Sequence, residues 1–289
     1  MKFLMMFAVL AMSQVAHAIP KAPFNALEVT IDHSDKSEVA GQYDFEGIIK
    51  LSNCSGSLIR FAGQPTSSKA IVLTNGHCHQ MGSFGGMIKP GEVIVNKAMS
   101  RDMKIFDKSM KLFPVRVARV LYATMTSTDI TLYELTESYD SIMSKYKIDS
   151  FNIDSARPFE GTNIDIVSGY WERGYSCAID AFIYQLKEEN YLFTDSVRYT
   201  DGCDTIGGTS GSPIISRGTR NVIAINNTAN ENGRKCTMNN PCEMSQDGKI
   251  TVLKDKKYGQ QTYQIYSCLR PDFNIDLSIP GCSLPKPVK

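Results

Sequence analysis

From Glu46 onward the chain sets short apolar runs between clusters of Gly, Ser, Asn and Pro. The runs are Ile48–Leu51, Ser57–Phe61, Ala70–Leu73, Glu92–Val95, Val115–Leu121, Ile130–Leu135, Ile164–Val167, Ala181–Leu186, Ser196–Tyr199, Pro213–Ile215 and Val222–Ile225. Many are β-branched, and turn signals fall between them. That texture predicts an all-β sandwich or barrel rather than alternating βαβ units. Tyr139–Lys147 is the one candidate helix. It opens a polar stretch, Tyr139–Gly161, that separates two groups of strands and reads as an interdomain linker. Ile19–Gly41 is polar and without period, an arm or a short propeptide. Lys235–Gly248 reads as a loop, and the segment from Tyr258 as an extension carrying Cys268 and Cys282.

Met1–Ala18 changes the compartment expected. It combines Lys2, the apolar run Phe3–Met12 and the small-residue site Ala16-His17-Ala18, the three parts of a secretory signal peptide. The run is well short of the roughly 20 residues a membrane span needs, and no later segment is long and apolar enough to cross a bilayer. A secreted or periplasmic protein is therefore expected. All eight cysteines lie beyond this leader, and an even number in an exported chain points to disulfides. The simplest pairing joins nearest neighbours: Cys54–Cys78, Cys177–Cys203, Cys236–Cys242 and Cys268–Cys282. Zinc is the weaker reading, since no C-x-x-C occurs. Composition adds little. With 42% hydrophobic residues and a net charge of +1, there is no basic stripe for a nucleic-acid partner; Lys254–Lys257 reads as a solvated loop.

Candidate chemistry begins at Gly207-Gly208-Thr209-Ser210-Gly211-Ser212-Pro213. Glycines around one serine allow a sharp turn with unobstructed backbone N–H groups, the geometry an attacking hydroxyl and a developing oxyanion require. Such a serine needs a base. Beyond the leader only His33, His77 and His79 are available, and His33 lies in the polar arm. His77 follows the strand Ala70–Leu73 and the turn Thr74-Asn75-Gly76, and precedes Cys78. His77 and His79 form an H-x-H pair, a weak metal signal with no third ligand nearby. The imidazole needs a carboxylate partner, and Asp129 stands at the mouth of the apolar run Ile130–Leu135, where an unpaired charge is costly. Asp102 and Asp107 flank charged, exposed-looking sequence and are poorer choices.

These residues resemble the chymotrypsin-like serine peptidases. The order His, Asp, Ser is that family's. Thr74-Asn-Gly-His-Cys78 is similar to its T-A-A-H-C, Asp129-Ile-Thr-Leu to its D-I-A-L, and Gly208-Thr-Ser-Gly-Ser-Pro213 to its G-D-S-G-G-P. Cys54 matches the cysteine that bridges to the one beside the catalytic histidine. The resemblance spans about Glu46 to Asn230 and implies two antiparallel six-stranded β-barrels with the active site between them. The implied layout is a signal peptide at 1–18, an arm at 19–41, a first barrel at 42–145, a second at 146–257 and a stapled extension at 258–289. Ser210 is implied as nucleophile, His77 as base and then acid, Asp129 as orienting carboxylate, and the backbone N–H groups of Gly208 and Ser210 as oxyanion donors. The implied partners are peptide or protein substrates, with no cofactor or metal and a monomeric state.

The sequence also departs from that pattern. Thr209 replaces the aspartate that pairs with a new N-terminus in trypsin-type activation, and no I-V-G-G start occurs. In this the loop looks more like the bacterial glutamyl-endopeptidase branch. Asp204 has the spacing of the acid that binds Arg or Lys in trypsin-like pockets, but Ile206 stands where a cysteine is usual. Asn226 is close to where the glutamyl branch carries a histidine that reads acidic substrates. Basic and glutamyl preferences therefore both remain open. The rival class is a catalytically silent peptidase-like module that binds peptides. A serine esterase fails because Gly208-x-Ser210-x-Ser212 lacks the second glycine of G-x-S-x-G and the residue order differs.

Overall fold

The computed structural model describes residues 42–79 and 86–287; the expected leader, the arm with His33, and residues 80–85 lie outside them. Six strands make a first ring: β1 (Ile48–Lys50), β2 (Ser55–Arg60), β3 (Lys69–Thr74), β4 (Val93–Phe106), β5 (Leu112–Thr124) and β6 (Ile130–Ser138). The antiparallel order runs β1, β4, β5, β6, β3, β2, and β2 pairs back with β1, so the sheet closes without a free edge. Each of the eleven apolar runs lies in a strand to within one residue at its ends. The strands are longer than the runs where the sequence turns polar. β4 continues through the exposed Asn96, Lys97, Ser100 and Asp102 side chains because its outer face meets water, with a bulge between Ala98 and Arg101 where it pairs β5.

A short helix, α1 (Tyr139–Tyr146), follows the first ring as expected. Ser138 caps it by accepting the Ser141 N–H at 3.2 Å, and Lys147 ends it in the left-handed region. The connecting strand β7 (Phe151–Ile153) then pairs in parallel with β2 on one side and with β12 (Asn221–Ala229) on the other. The second ring comprises β8 (Asn163–Ser168), β9 (Arg173–Glu188), β10 (Tyr191–Tyr199), β11 (Pro213–Ser216), β12 and β15 (Lys257–Gln261). Its order is β12, β11, β8, β9, β10, β15, closed by β15 on β12, again antiparallel throughout. Two closed six-stranded barrels are the architecture the chymotrypsin-like resemblance implied. One boundary moves: residues 258–261, expected to start the extension, supply the strand that closes the second barrel. A hairpin of β13 (Cys242–Met244) and β14 (Ile250–Thr251) is added on β9.

Alternation explains how both faces of the first barrel's strands are satisfied. Leu58, Ala70, Val72, Tyr133 and Leu135 enter one buried cluster, while Ile59, Ile71, Leu73, Ile130 and Leu132 enter another. The second cluster is completed by the chain's later part, through Ile265 of a short 3-10 turn (Tyr263–Cys268), Cys268 and Leu284. The Tyr122 hydroxyl donates to the Pro285 carbonyl at 3.0 Å and ties this segment down. Ile164, Ile166, Ile179, Val197, Tyr199, Ile214 and Ile223 fill the second barrel. The four disulfides join Cys54 to Cys78, Cys177 to Cys203, Cys236 to Cys242 and Cys268 to Cys282. No helix among the described residues is long and apolar enough to cross a membrane.

Candidate active site

The turn after β3 carries His77 and is held from three sides. Cys78 is bridged to Cys54 at the start of β2. The Asn75 side-chain amide donates to the Asp129 carbonyl at 2.9 Å. Gly76 lies against the opposite loop so tightly that a Cβ there would come within 2.1 Å of the Thr124 carbonyl oxygen, which explains the small residue in the T-N-G-H-C string. Asp129 sits just ahead of β6 and is 1% exposed. One of its oxygens accepts the His77 backbone N–H at 3.0 Å, and the other lies 2.6 Å from His77 Nδ1. This contact fixes the tautomer: Nδ1 carries the proton that Asp129 accepts, leaving Nε2 free to act as a base. Burial lowers the His77 pKa, but the Asp129 charge and hydrogen bond raise it more, with Glu188 adding to them, so it lies above the usual 6.5.

Ser210 comes from the loop between β10 and β11, and meets the first barrel through its carbonyl, which accepts the Ser55 N–H at 2.8 Å. His77, Asp129 and Ser210 line one cavity of about 110 Å³. The Ser210 hydroxyl donates to the Asn227 carbonyl at 3.3 Å, so in this resting geometry it is not bonded to His77. Around it the loop is rigid. The Thr209 N–H donates to the Ile206 carbonyl at 3.0 Å and the Ser212 N–H to the Thr209 carbonyl at 3.0 Å. Thr209 is fully buried, as a neutral side chain in that place can be.

The expected oxyanion donors are oriented by a residue the sequence reading missed. Trp171 Nε1 donates to the Gly207 carbonyl at 2.7 Å. In a trans peptide the N–H points opposite the C=O, so this bond turns the Gly208 N–H away from Trp171. Gly208 has φ +91° and accepts a bond from Ser55 Oγ through its own carbonyl at 3.3 Å. Among the described residues neither the Gly208 nor the Ser210 N–H donates to a protein acceptor. Two adjacent unspent donors in such a loop suit a negatively charged oxygen.

The remaining predicted residues divide. Asn226 lines the same cavity, but its side chain is engaged by the Tyr199 hydroxyl at 3.3 Å. Asp204 is not in the cleft. It is 85% exposed and pairs with Lys257 at 3.2 Å, because the Cys177–Cys203 bridge and the turn after it carry the side chain to the surface. His79 is buried, shares a 2.8 Å hydrogen bond with the Tyr133 hydroxyl, and has its pKa lowered to about 4 by burial and by Arg101; it points into the core, away from His77's partner. Cys54 and Cys78 lie near His77 but are spent as a disulfide and offer no thiolate. Asp102 is on the surface with Arg116, and Asp107 caps a turn through Ser109 and Lys111.

Glu188, at the end of β9, was not anticipated and lines the cavity. Its signal was present in the alternation: Leu186 points in and Lys187 out, so Glu188 falls on the buried face.

No family model and no curated protein sequence matches the chain. Among solved structures it is similar to a Nocardiopsis protease at 13% identity and a TM-score of 0.44, covering 76% of this chain and 93% of that one. The MamO protease domain from Magnetospirillum magneticum gives 13% identity and 0.45, covering 78% and 97%. A glutamic-acid-specific serine protease gives 15% and 0.39, covering 74% and 91%. Likeness at this level carries no inference about the site; the strand pairing and contacts described above do.

Proposed function

We propose that the protein is an extracytoplasmic serine endopeptidase using His77, Asp129 and Ser210. The observation that carries the reading is the buried Asp129 carboxylate 2.6 Å from His77 Nδ1, in the same cavity as Ser210. Four disulfides are in keeping with an oxidising compartment.

The chemistry follows from these groups. A side-chain rotation takes the Ser210 hydroxyl from the Asn227 carbonyl to His77 Nε2, a motion of picoseconds to nanoseconds. His77 accepts the proton as Oγ attacks the scissile carbonyl, and Asp129 stabilises the imidazolium that results. The oxygen that gains charge is received by the N–H groups of Gly208 and Ser210. His77 then returns the proton to the leaving amine, and water activated by the same base releases the acyl group from Ser210. Among the described residues, β12 beyond Asn226 pairs only with β15 and has no strand partner on the β11 side. That open edge beside Ser210 can take an extended substrate by strand addition.

The resting contact between the Ser210 hydroxyl and the Asn227 carbonyl is what favours the second reading, a silent peptide-binding module. A fluorophosphonate probe decides between them. It should label the folded protein at Ser210 and leave Ser210→Ala unlabelled; folded protein that resists the probe would refute the enzymatic reading.

A further inference from the structure

The cleft contains a carboxylate that the three-residue mechanism does not use. Glu188 is 5% exposed and lines the cavity with His77 and Ser210. One of its oxygens accepts the Asn239 N–H at 2.7 Å, and Thr228 lines the same cavity. Among the described residues no Lys or Arg forms an ion pair with it, although most other partly buried acids here have one, such as Glu134 with Arg119 and Glu243 with Arg198. Burial pushes its pKa up, and Asn239, Thr228 and His77 only partly offset this. A buried carboxylate short of counter-charge gains from any cation that enters with a ligand.

The rest of the cavity suits such a cation's stem. Met87, Met125, Tyr191 and Phe193 contribute its apolar wall, against which the methylenes of a Lys or Arg side chain can lie while the charged head reaches the acid. A cavity of about 110 Å³ is several times the roughly 10–15 Å³ that one water requires. That is room for one side chain.

Strand direction says which substrate residue is read. β12 runs from Asn226, beside Ser210, towards Thr228 and Ala229, with its open edge along the cleft. A substrate added antiparallel, the commoner pairing, runs the other way, towards Ser210. Residues preceding the scissile bond then lie beside Thr228, which lines the cavity together with Glu188.

We propose that Glu188 determines specificity and that the cleft takes a Lys or Arg side chain from the substrate segment preceding the scissile bond. This rests on the endopeptidase reading. It assigns the basic preference to a buried acid at the end of β9 and withdraws it from Asp204, which is on the surface with Lys257.

The test profiles cleavage by the full chain of peptide libraries carrying Lys, Arg, Gln, Glu or Ala at each position before the scissile bond. At one such position the unmodified protein should prefer Lys or Arg over Gln by tenfold or more in kcat/KM. Glu188→Gln should bring that ratio close to one, and Asp204→Asn should leave it intact. The proposal is overturned if no basic preference exists, or if Asp204→Asn and not Glu188→Gln removes it. It is also overturned if Glu188→Gln slows all peptides equally, since that is the signature of an acid acting only on His77. Should Glu188→Gln fail to fold, agmatine serves on the unmodified protein. It should slow fluorophosphonate labelling of Ser210 where an uncharged amide of equal length does not; equal effects overturn the proposal. Labelling of Ser210 without basic preference refutes this inference alone, whereas absence of both labelling and cleavage refutes the endopeptidase reading with it.

Discussion

Trp171→Phe isolates the part of the site that depends on one hydrogen bond. The substitution deletes the 2.7 Å bond from Trp171 Nε1 to the Gly207 carbonyl and keeps an aromatic ring for the edge-to-face contact with Tyr170. The peptide it releases is flanked by two glycines. A Cβ at Gly207 would meet nothing within 4 Å, so on the Gly207 side this bond is the main restraint on rotation of the Gly207–Gly208 plane, while Gly208 is held by Ser55 Oγ on the other. A net hydrogen bond contributes about 0.5–1.5 kcal/mol, which at about 1.36 kcal/mol per decade corresponds to a roughly 2- to 13-fold drop in kcat. Complete loss of an oxyanion donor sets the ceiling, at about 10²- to 10³-fold. Steady-state hydrolysis of a chromogenic peptide should therefore show kcat falling within this range with KM little changed. A peptide boronate, which forms a tetrahedral adduct on the serine, should lose affinity by the same factor. Unchanged kcat and boronate affinity, or a change confined to KM, would refute the idea that Trp171 aims the Gly208 N–H.

The remaining expectations concern the His77 turn. Catalysis needs neutral His77, and its pKa lies above 6.5, so kcat/KM should rise with pH along a limb centred above that value. Asp129→Asn should cut kcat by roughly 10⁴ and move the limb down, since burial alone lowers the histidine pKa. The same raised value means that His77 stabilises the fold fully below pH 6.5 and progressively less as pH climbs through it; urea melts at several pH values read this directly. Replacing Cys54 and Cys78 by alanine opens a loop of 24 residues. On chain-entropy grounds that costs about 3.5 kcal/mol, or a melting point lower by roughly 7–14 °C. A loss below 1 kcal/mol would mean that the reduced chain already holds this turn closed.

What the sequence could and could not announce follows from how far apart the interacting residues lie. Strands whose faces are both buried, such as β3 and β6, declared themselves as continuous apolar runs. His77 and Asp129 were legible because each sits in a short string whose spacing their contact requires. The long polar stretch of β4 was hidden, since one face meets water and nothing apolar marks it. Asp204 had the right spacing from Ser210 and the wrong direction, because the turn after Cys203, rather than the residue count, decides where its side chain goes. Trp171, in the turn between β8 and β9, and Glu188, at the end of β9, reach the site from parts of the chain distant in sequence. Their roles depend on the closure of the second barrel, which no local pattern encodes.

The covering of the first barrel by Ile265, Cys268 and Leu284 also bears on how the molecule is made. Ile71 and Leu73 lie near the start of the described residues, yet their outer cluster is finished by residues near the end of them. During synthesis the first barrel can pair its strands early, but it keeps an apolar side open until the whole second barrel has emerged. Completion of the fold therefore waits on long-range contacts, which slow folding and leave apolar surface open in between, and the framework around His77 is finished only after the half carrying Ser210 has been built.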